Sequence, residues 1–545
     1  MHWLTRRLGV LHHGAARLGA PFLLVAGLLA VALSTAPPVG AVPPTVSSPR
    51  TDGTTIAWIE YYYYPTLYVQ TIGAQQPQTV ASYVDHPDVS GDRLVWEALD
   101  EPVPPGGVAG PTRLGGVNLA TGTPLTLPNT TGEQLEPSLS GNWLVWVNHD
   151  PSDLLAPWAV LATDLSTSFS PLVLGTFPSS VTSVGRPEIS GSHVLWSVGT
   201  DLWLADLNGG TPATIAGAAG RYQDGGGYDI GGQSVVYAAN SQVHLIDLAN
   251  PTADRVLSGH GTTPTTDGRY VFWEDTQLNS AGLQQRSVVA YDIASDSFFA
   301  AAVNANEFNW APRTRGGVLV WMQTLPYSYG GIPQARPIHD LLPSAPLPNP
   351  GTSDPNWTYY PPTGHYLGAG FRSFWQQSGG LPVFGYPLTE EFTQGGYTVQ
   401  YVERQRFEYH PEFKGTPYEV ELGRLGAADA AQRSLDSTQP FQPLPPGTPS
   451  NADCVFVPAT GHRLCRGFKA YWQSHGLDFG DPGVSYRESL ALFGYPLSEE
   501  FTDPASGLTV QYFERAVFEY HPENPEPYKV ELRLLGTRQL QAAGW

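Results

Sequence analysis

The feature that most narrows the fold is a decamer that recurs without a gap: Pro, three residues, Gly, four residues, Trp. It reads PRTDGTTIAW to Trp58, PDVSGDRLVW to Trp96, PSLSGNWLVW to Trp146, PEISGSHVLW to Trp196, PTTDGRYVFW to Trp273 and PRTRGGVLVW to Trp321. A degenerate copy, YDIGGQSVVY, ends at Tyr237, and successive copies stand 36 to 50 residues apart. In each copy a turn precedes alternating apolar positions, Leu94 and Trp96 or Val194 and Trp196, which is the period of a strand with one packed face. Most copies are followed by a second strand closing on Asp-Leu or Asp-Ile (Asp164-Leu165, Asp206-Leu207, Asp247-Leu248, Asp292-Ile293). A polar turn and a third short strand come next, as in residues 118–127.

Several strands per repeat at this spacing predict propeller blades, whose apolar faces are buried only by neighbouring blades. The expected fold class is therefore mainly β, with an N-terminal β-propeller of seven, or six, blades over residues 45–342. The repeated Trp and Pro are expected as blade core and turn residues. These blades resemble the TolB-like and related PD40-type propellers of bacterial envelope and surface proteins. The resemblance implies binding through the channel mouth or a rim, although some relatives bear enzymes.

Composition supports turns between strands, since Gly (59) and Pro (51) are abundant and only 14% of residues are charged. An aromatic content of 12%, with 15 Trp, is too high for a disordered chain. The formal charge of −21, with Lys414, Lys469 and Lys529 as the only lysines, argues against a nucleic-acid partner, whose backbone needs clustered cations. Arg6, Arg7 and Arg17, an apolar run over 20–33 and Val39-Gly40-Ala41 predict a secretory signal peptide over 1–41, or else an uncleaved anchor. No later segment is apolar enough to span a bilayer, so a secreted or extracellular cell-surface location is expected. In an oxidising compartment the only two cysteines, Cys454 and Cys465, read as a disulfide stabilising by about 2 to 3 kcal/mol, with a catalytic thiol as the alternative.

Proline-rich linkers at 343–354 and 437–450 set off two small α+β modules, 355–430 and 452–540. They share TGH, a Trp-bearing helix, FGYPL, a Glu pair, VQY, FEYHPE and a closing VEL, with one loop inserted near 478–489 in the second. Trp357 and Gly368 of the first align with the two cysteines of the second. This order resembles the LGFP repeat of bacterial cell-surface and wall-associated proteins, with Phe384 and Phe493 where the family has leucine. It implies a module that engages cell-wall glycan or a surface protein. The candidate sugar-stacking residues are Trp375, Tyr386 and Tyr409 in the first module and Trp472, Tyr495 and Tyr520 in the second.

FEYHPE, twice present, carries carboxylates and a histidine. A hairpin is expected over 399–422, and with its first segment extended Tyr401, Glu403, Phe407 and Tyr409 would face one way and Arg404, Glu408 and His410 the other. A glycosidase would need two carboxylates about 5 to 9.5 Å apart across a sugar bond, from Glu403 and Glu408 or from Glu390 and Glu391, and opposite strand faces do not provide that. The competing expectation pairs Glu408 with Arg404 or a neighbouring strand's cation, buries Phe407 and ends the strand at Pro411. His365 and His410 lack metal-ligand spacing, and no GxSxG, HExxH or P-loop string occurs. The expectation is a non-enzymatic binding protein with no catalytic residues, metal or cofactor. The alternative is an extracellular hydrolase acting on polysaccharide or peptidoglycan.

Overall fold

A computed structural model describes residues 45–61, 64–99, 111–153, 155–167, 170–218, 227–278, 284–303, 307–324, 330–351 and 354–545. The expected signal peptide lies outside them. The chain forms two compact units, divided between Leu341 and Leu342.

The first unit is built of seven successive antiparallel sheets, among the described residues, each containing one decamer. Their first decamer strands are Arg50–Thr51, Val84–Ser90, Glu133–Ser140, Glu188–Ser190, Tyr228–Gly231, Gly261–Thr266 and Phe308–Arg315. The decamer glycine makes the following turn: Gly53, Gly91, Gly141, Gly191, Gly232, Gly268 and Gly316 all have positive φ, where a side chain is disfavoured. The next strand carries the decamer's final aromatic into the space between sheets. Trp146, Trp196 and Tyr237 are fully buried, Trp58, Trp273 and Trp321 nearly so, and Trp96 half-buried. Each sheet packs on the next and the seventh packs on the first. That last junction is sealed by Val46, Ile56 and Trp58 against Val318, Val320 and Met322. A cycle of sheets whose cores lie between neighbours is a propeller-like arrangement.

Four of the decamer strands carry the same irregularity. The residue before the proline, His86, Glu136, Thr263 or Ala311, has positive φ and sits at a break in the pairing register. Such a bulge turns the strand and re-aims the side chains that follow it.

The second unit holds both repeats. Its helices, in chain order, are α1 (Ala369–Gln377), α2 (Gly380–Phe384), α3 (Leu425–Gln432), α4 (Arg466–Ser474), α5 (Tyr486–Phe493) and α6 (Leu535–Ala543). Helix α5 falls partly in the inserted loop and starts on a capping box between Ser485 and Glu488. The segment read as one extended strand is corrected here. It folds back at Val402–Gln405, giving strands Tyr397–Tyr401 and Arg406–Tyr409, and the second repeat does the same with Thr509–Tyr512 and Val517–Tyr520. The turn is fixed because the N–H of Val402 donates to the carbonyl of Gln405 at 2.9 Å, matched by Phe513 to Ala516 at 2.8 Å.

The two repeats close each other. Helix α3 sits on the second hairpin, where the Ala427 N–H donates to the Glu514 carbonyl (3.1 Å), and α6 sits on the first, where Thr537 N–H donates to Glu403 (3.2 Å). At each helix start, one of the first-turn N–H groups that lack an intrahelical partner is thus satisfied by the other repeat. The fit leaves no room for a side chain: a Cβ on Gly426 would fall 2.1 Å from the Phe513 carbonyl oxygen, and one on Gly536 would fall 1.9 Å from that of Val402. One apolar cluster holds Phe384 and Phe407 of the first repeat together with Phe493 and Phe518 of the second. Within 437–450, Phe441 is buried against Phe501 and Tyr512.

Candidate functional site

The second residue of each decamer follows the bulge or the proline and points away from the inter-sheet core. These residues are Arg50, Asp88, Ser138, Glu188, Asp229, Thr265 and Arg313. Arg50 of sheet one reaches Glu188 of sheet four through two hydrogen bonds of 3.1 and 2.9 Å. Arg315, two places after Arg313 in sheet seven, donates to the carbonyls of Leu139 (2.7 Å) and Ile189 (3.1 Å) in sheets three and four. Bonds between sheets that are not neighbours must cross the middle of the cycle, so these side chains fill its axis. Around it, Asp88 accepts from Ser138 Oγ (3.2 Å) and Leu139 N–H (2.7 Å), and Asp229 accepts from Thr265 Oγ1 (2.5 Å).

Buried charge demands compensation, and here the pairing wins for Glu188. Burial acts to raise its carboxyl, but Arg50, Arg186 and Arg313 outweigh burial and hold it at about 2. Asp229 is pushed up, by burial first and by Glu188 second. Arg186 and Arg313 are pulled down by burial and by the charge of Arg50. Arg186 spends its Nη2 on the carbonyls of Pro87 (3.0 Å) and Pro137 (2.7 Å). Side chains that bond across the cycle in this way fill its axis with paired charges.

At the junction of sheets two and three, His86, Glu97 and Glu136 bring their ligating atoms within 4.8 Å of one another. His86 Nδ1 lies 3.1 Å from Glu97 Oε1 and its Nε2 3.4 Å from Glu136 Oε1. Glu97 Oε1 also accepts the bulge N–H of Glu136. Burial pushes the Glu136 carboxyl up, while His86 is raised against its own burial by the two carboxylates.

In the second unit the residues singled out from sequence take different places. The carboxylate of Glu403 accepts the N–H of Tyr386 (3.0 Å), and Glu514 accepts that of Tyr495 (3.1 Å). Gly385 and Gly494, both with positive φ, leave space for those carboxylates, so FGYP with its downstream Glu is a turn-fixing device. Glu408 pairs with Arg406, through Nε at 2.9 Å, rather than with Arg404, and Phe407 is fully buried. His410 lies 2.8 Å from Glu412, and His365 lies 3.3 Å from Glu390, so the two histidines serve separate carboxylates. Glu391 is pushed up to about 7, by burial and then by Glu390 beside it, and Glu500 is also raised, chiefly by burial.

Trp375, half-buried, lies 5.6 Å from Tyr360 and donates its Nε1–H to the Gly385 carbonyl (2.9 Å), while Tyr360 lies 6.0 Å from Tyr386. In the second repeat Trp472 is buried at 6% exposure, with Tyr486, 58% exposed, packed on it at 5.1 Å. Tyr495 and Tyr409 are half-buried and Tyr520 is exposed. The structure thus brings Trp375 and Tyr386 together through Tyr360. It places Trp472 beneath Tyr486, whose exposed ring the sequence reading did not single out. Cys454 and Cys465 form a disulfide across paired strands; at the same register in the first repeat the Trp357 ring covers Gly368.

Neither a protein-family model nor a curated protein matches the chain. Among solved structures it is similar to the β-propeller domain of the trilobed protease from Pyrococcus furiosus, at 9% identity and a TM-score of 0.40, over 55% of this chain and 97% of that one. It is also similar to the acylaminoacyl peptidase of Pyrococcus horikoshii, at 8% identity and a TM-score of 0.41, over 68% of this chain and 59% of the peptidase. A putative TolB from Agrobacterium tumefaciens is similar at 15% identity and a TM-score of 0.28, over 38% of this chain and 78% of that one.

Proposed function

We propose that this is an exported, non-enzymatic binding protein of the cell surface. Its seven sheets act as the blades of a propeller that presents a binding scaffold, and its paired LGFP-like repeats engage cell-wall glycan. The observation that carries the reading is an aromatic cluster in each repeat of one body: Trp375, Tyr360 and Tyr386 in the first, and the exposed ring of Tyr486 packed on the buried Trp472 in the second. Flat rings with polar edges suit sugar faces. Two surfaces held in one body raise effective concentration without any linker entropy, so weak single contacts suffice. The disulfide supports an oxidising compartment, and the charge of −21 speaks against nucleic acid.

The test is co-sedimentation of the full chain with purified wall material. Combined Tyr386→Ala and Tyr486→Ala is expected to abolish retention while leaving the melting temperature of the second unit unchanged; full retention overturns the reading. The competing hydrolase draws on Glu391, whose raised carboxyl resembles a general acid. Release of soluble sugar from wall material by the wild type, lost in Glu391→Gln, would favour it.

A further inference from the structure

We propose that His86, Glu97 and Glu136 bind a divalent transition-metal ion, zinc or manganese, where sheets two and three of the first unit meet. One imidazole nitrogen and two carboxylate oxygens form a donor set suited to such ions, and they converge within 4.8 Å. Both ring nitrogens of His86 face carboxylate oxygens, Nδ1 at 3.1 Å from Glu97 Oε1 and Nε2 at 3.4 Å from Glu136 Oε1, and the buried Nδ1 contact is not aligned as a hydrogen bond. The outer part of the same ring is open, with the side chain 41% exposed, which supplies an entry path and room for water on the remaining coordination positions.

The molecule contains its own control. Glu274 occupies in sheet six the place of Glu97 in sheet two, directly after the decamer Trp, and likewise accepts the bulge N–H of the next sheet, that of Ala311 (3.4 Å). There the carboxylate is neutralised by Arg286 (2.6 Å) and the bulge residue is an alanine. At sheets two and three a histidine stands in for the arginine and the bulge residue is itself an acid. Capping the bulge therefore accounts for Glu97 alone, whereas His86 and Glu136 add a nitrogen and a second carboxylate that the cap does not need. Arg186 is nearby, but its Nη2 is committed to the carbonyls of Pro87 and Pro137.

The experiment titrates chelator-treated full-length protein with zinc and manganese by calorimetry, and with cobalt by its visible absorption. One equivalent is expected to bind, with affinity falling at least ~10-fold in His86→Ala and in Glu136→Gln. Glu136→Gln keeps the side chain's shape, and circular dichroism of the metal-free variant verifies the fold. Absence of saturable binding, or binding that neither variant weakens, overturns the proposal and leaves His86 as an ionic clamp between two carboxylates.

Discussion

The two units answer the same problem, a repeat too small to bury its own apolar face, in different ways. In the first, each sheet covers the next, and the seventh closes on the first through Val318, Val320 and Met322. In the second there are only two copies, and each closes the other by lending a helix, α3 or α6, to the opposite hairpin. The cyclic solution spreads dependence over many neighbours. The reciprocal one concentrates it, so that neither repeat is complete without its twin.

The sharpest way to break this contrast is to remove α6. Deleting 535–545 is expected to unfold the first repeat as well as the second, seen as loss of proteolytic protection throughout 355–545, while fragments of the first unit stay resistant. Survival of 355–430 would show that the exchange is incidental. Next in size, Arg50→Met leaves Glu188 buried without its bidentate partner and is expected to cost about 3–5 kcal/mol in a denaturant melt of the first unit. A blade-core change, Trp196→Ala, belongs in the same range, about 3–5 kcal/mol. Equal loss at the axis and in the core would mean that the charged plug is as structural as the aromatic wedges.

The axial pair also predicts a pH dependence. Glu188 is held at about 2, against 4.5 for the free group. Its contribution is therefore present above about 4.5 and fades as the pH falls toward 2. In Arg50→Met the strongest of the three lowering cations is gone while Arg186 and Arg313 remain, so the depression is smaller and the stability gap between variant and wild type should narrow across this window. A gap that stays constant would mean that Arg50 acts by packing alone. Smaller again, Cys454→Ser is expected to cost about 2–3 kcal/mol in the second unit, and Gly426→Ala about 1–3 kcal/mol by overpacking. If Gly536→Ala costs the same as Gly426→Ala, the exchange is symmetrical in energy as well as in shape.

Much of the first unit was legible because the decamer couples a turn glycine to an alternating strand, and Trp146 and Trp196 lie where that alternation puts them. Position two was harder to read. It holds Arg, Asp, Ser, Glu, Asp, Thr and Arg in turn, so no copy reveals its role, and the signal lies in its facing opposite to the core positions. His86 and Glu136 were hidden in the same way, since a residue before proline at positive φ leaves no compositional mark. In the second unit the helix exchange was invisible because Leu425–Gln432 is short and nearly all small residues, and nothing in a string such as GAADAAQ names a partner 90 residues away, as Arg424 finds in Glu514. A hairpin over 399–422 is legible, but its first reversal at 402–405 is not, because a four-residue turn with neither Gly nor Pro reads as continuous strand.

Reciprocal closure has a consequence in time as well as in space. Gln405 bonds to the carbonyl of Arg515, 110 residues on, and the helix that covers its hairpin is made later still. During synthesis the first repeat must wait with an uncovered apolar face until α6 emerges, and contacts so distant in sequence are the slow ones to form. In the first unit only the closing junction, Val46, Ile56 and Trp58 against Val318, Val320 and Met322, waits for distant chain; at every other junction a sheet's next neighbour follows within 50 residues. Refolding of the whole chain should accordingly show the first unit gaining protection from exchange before the second, with both repeats of the second appearing in a single step.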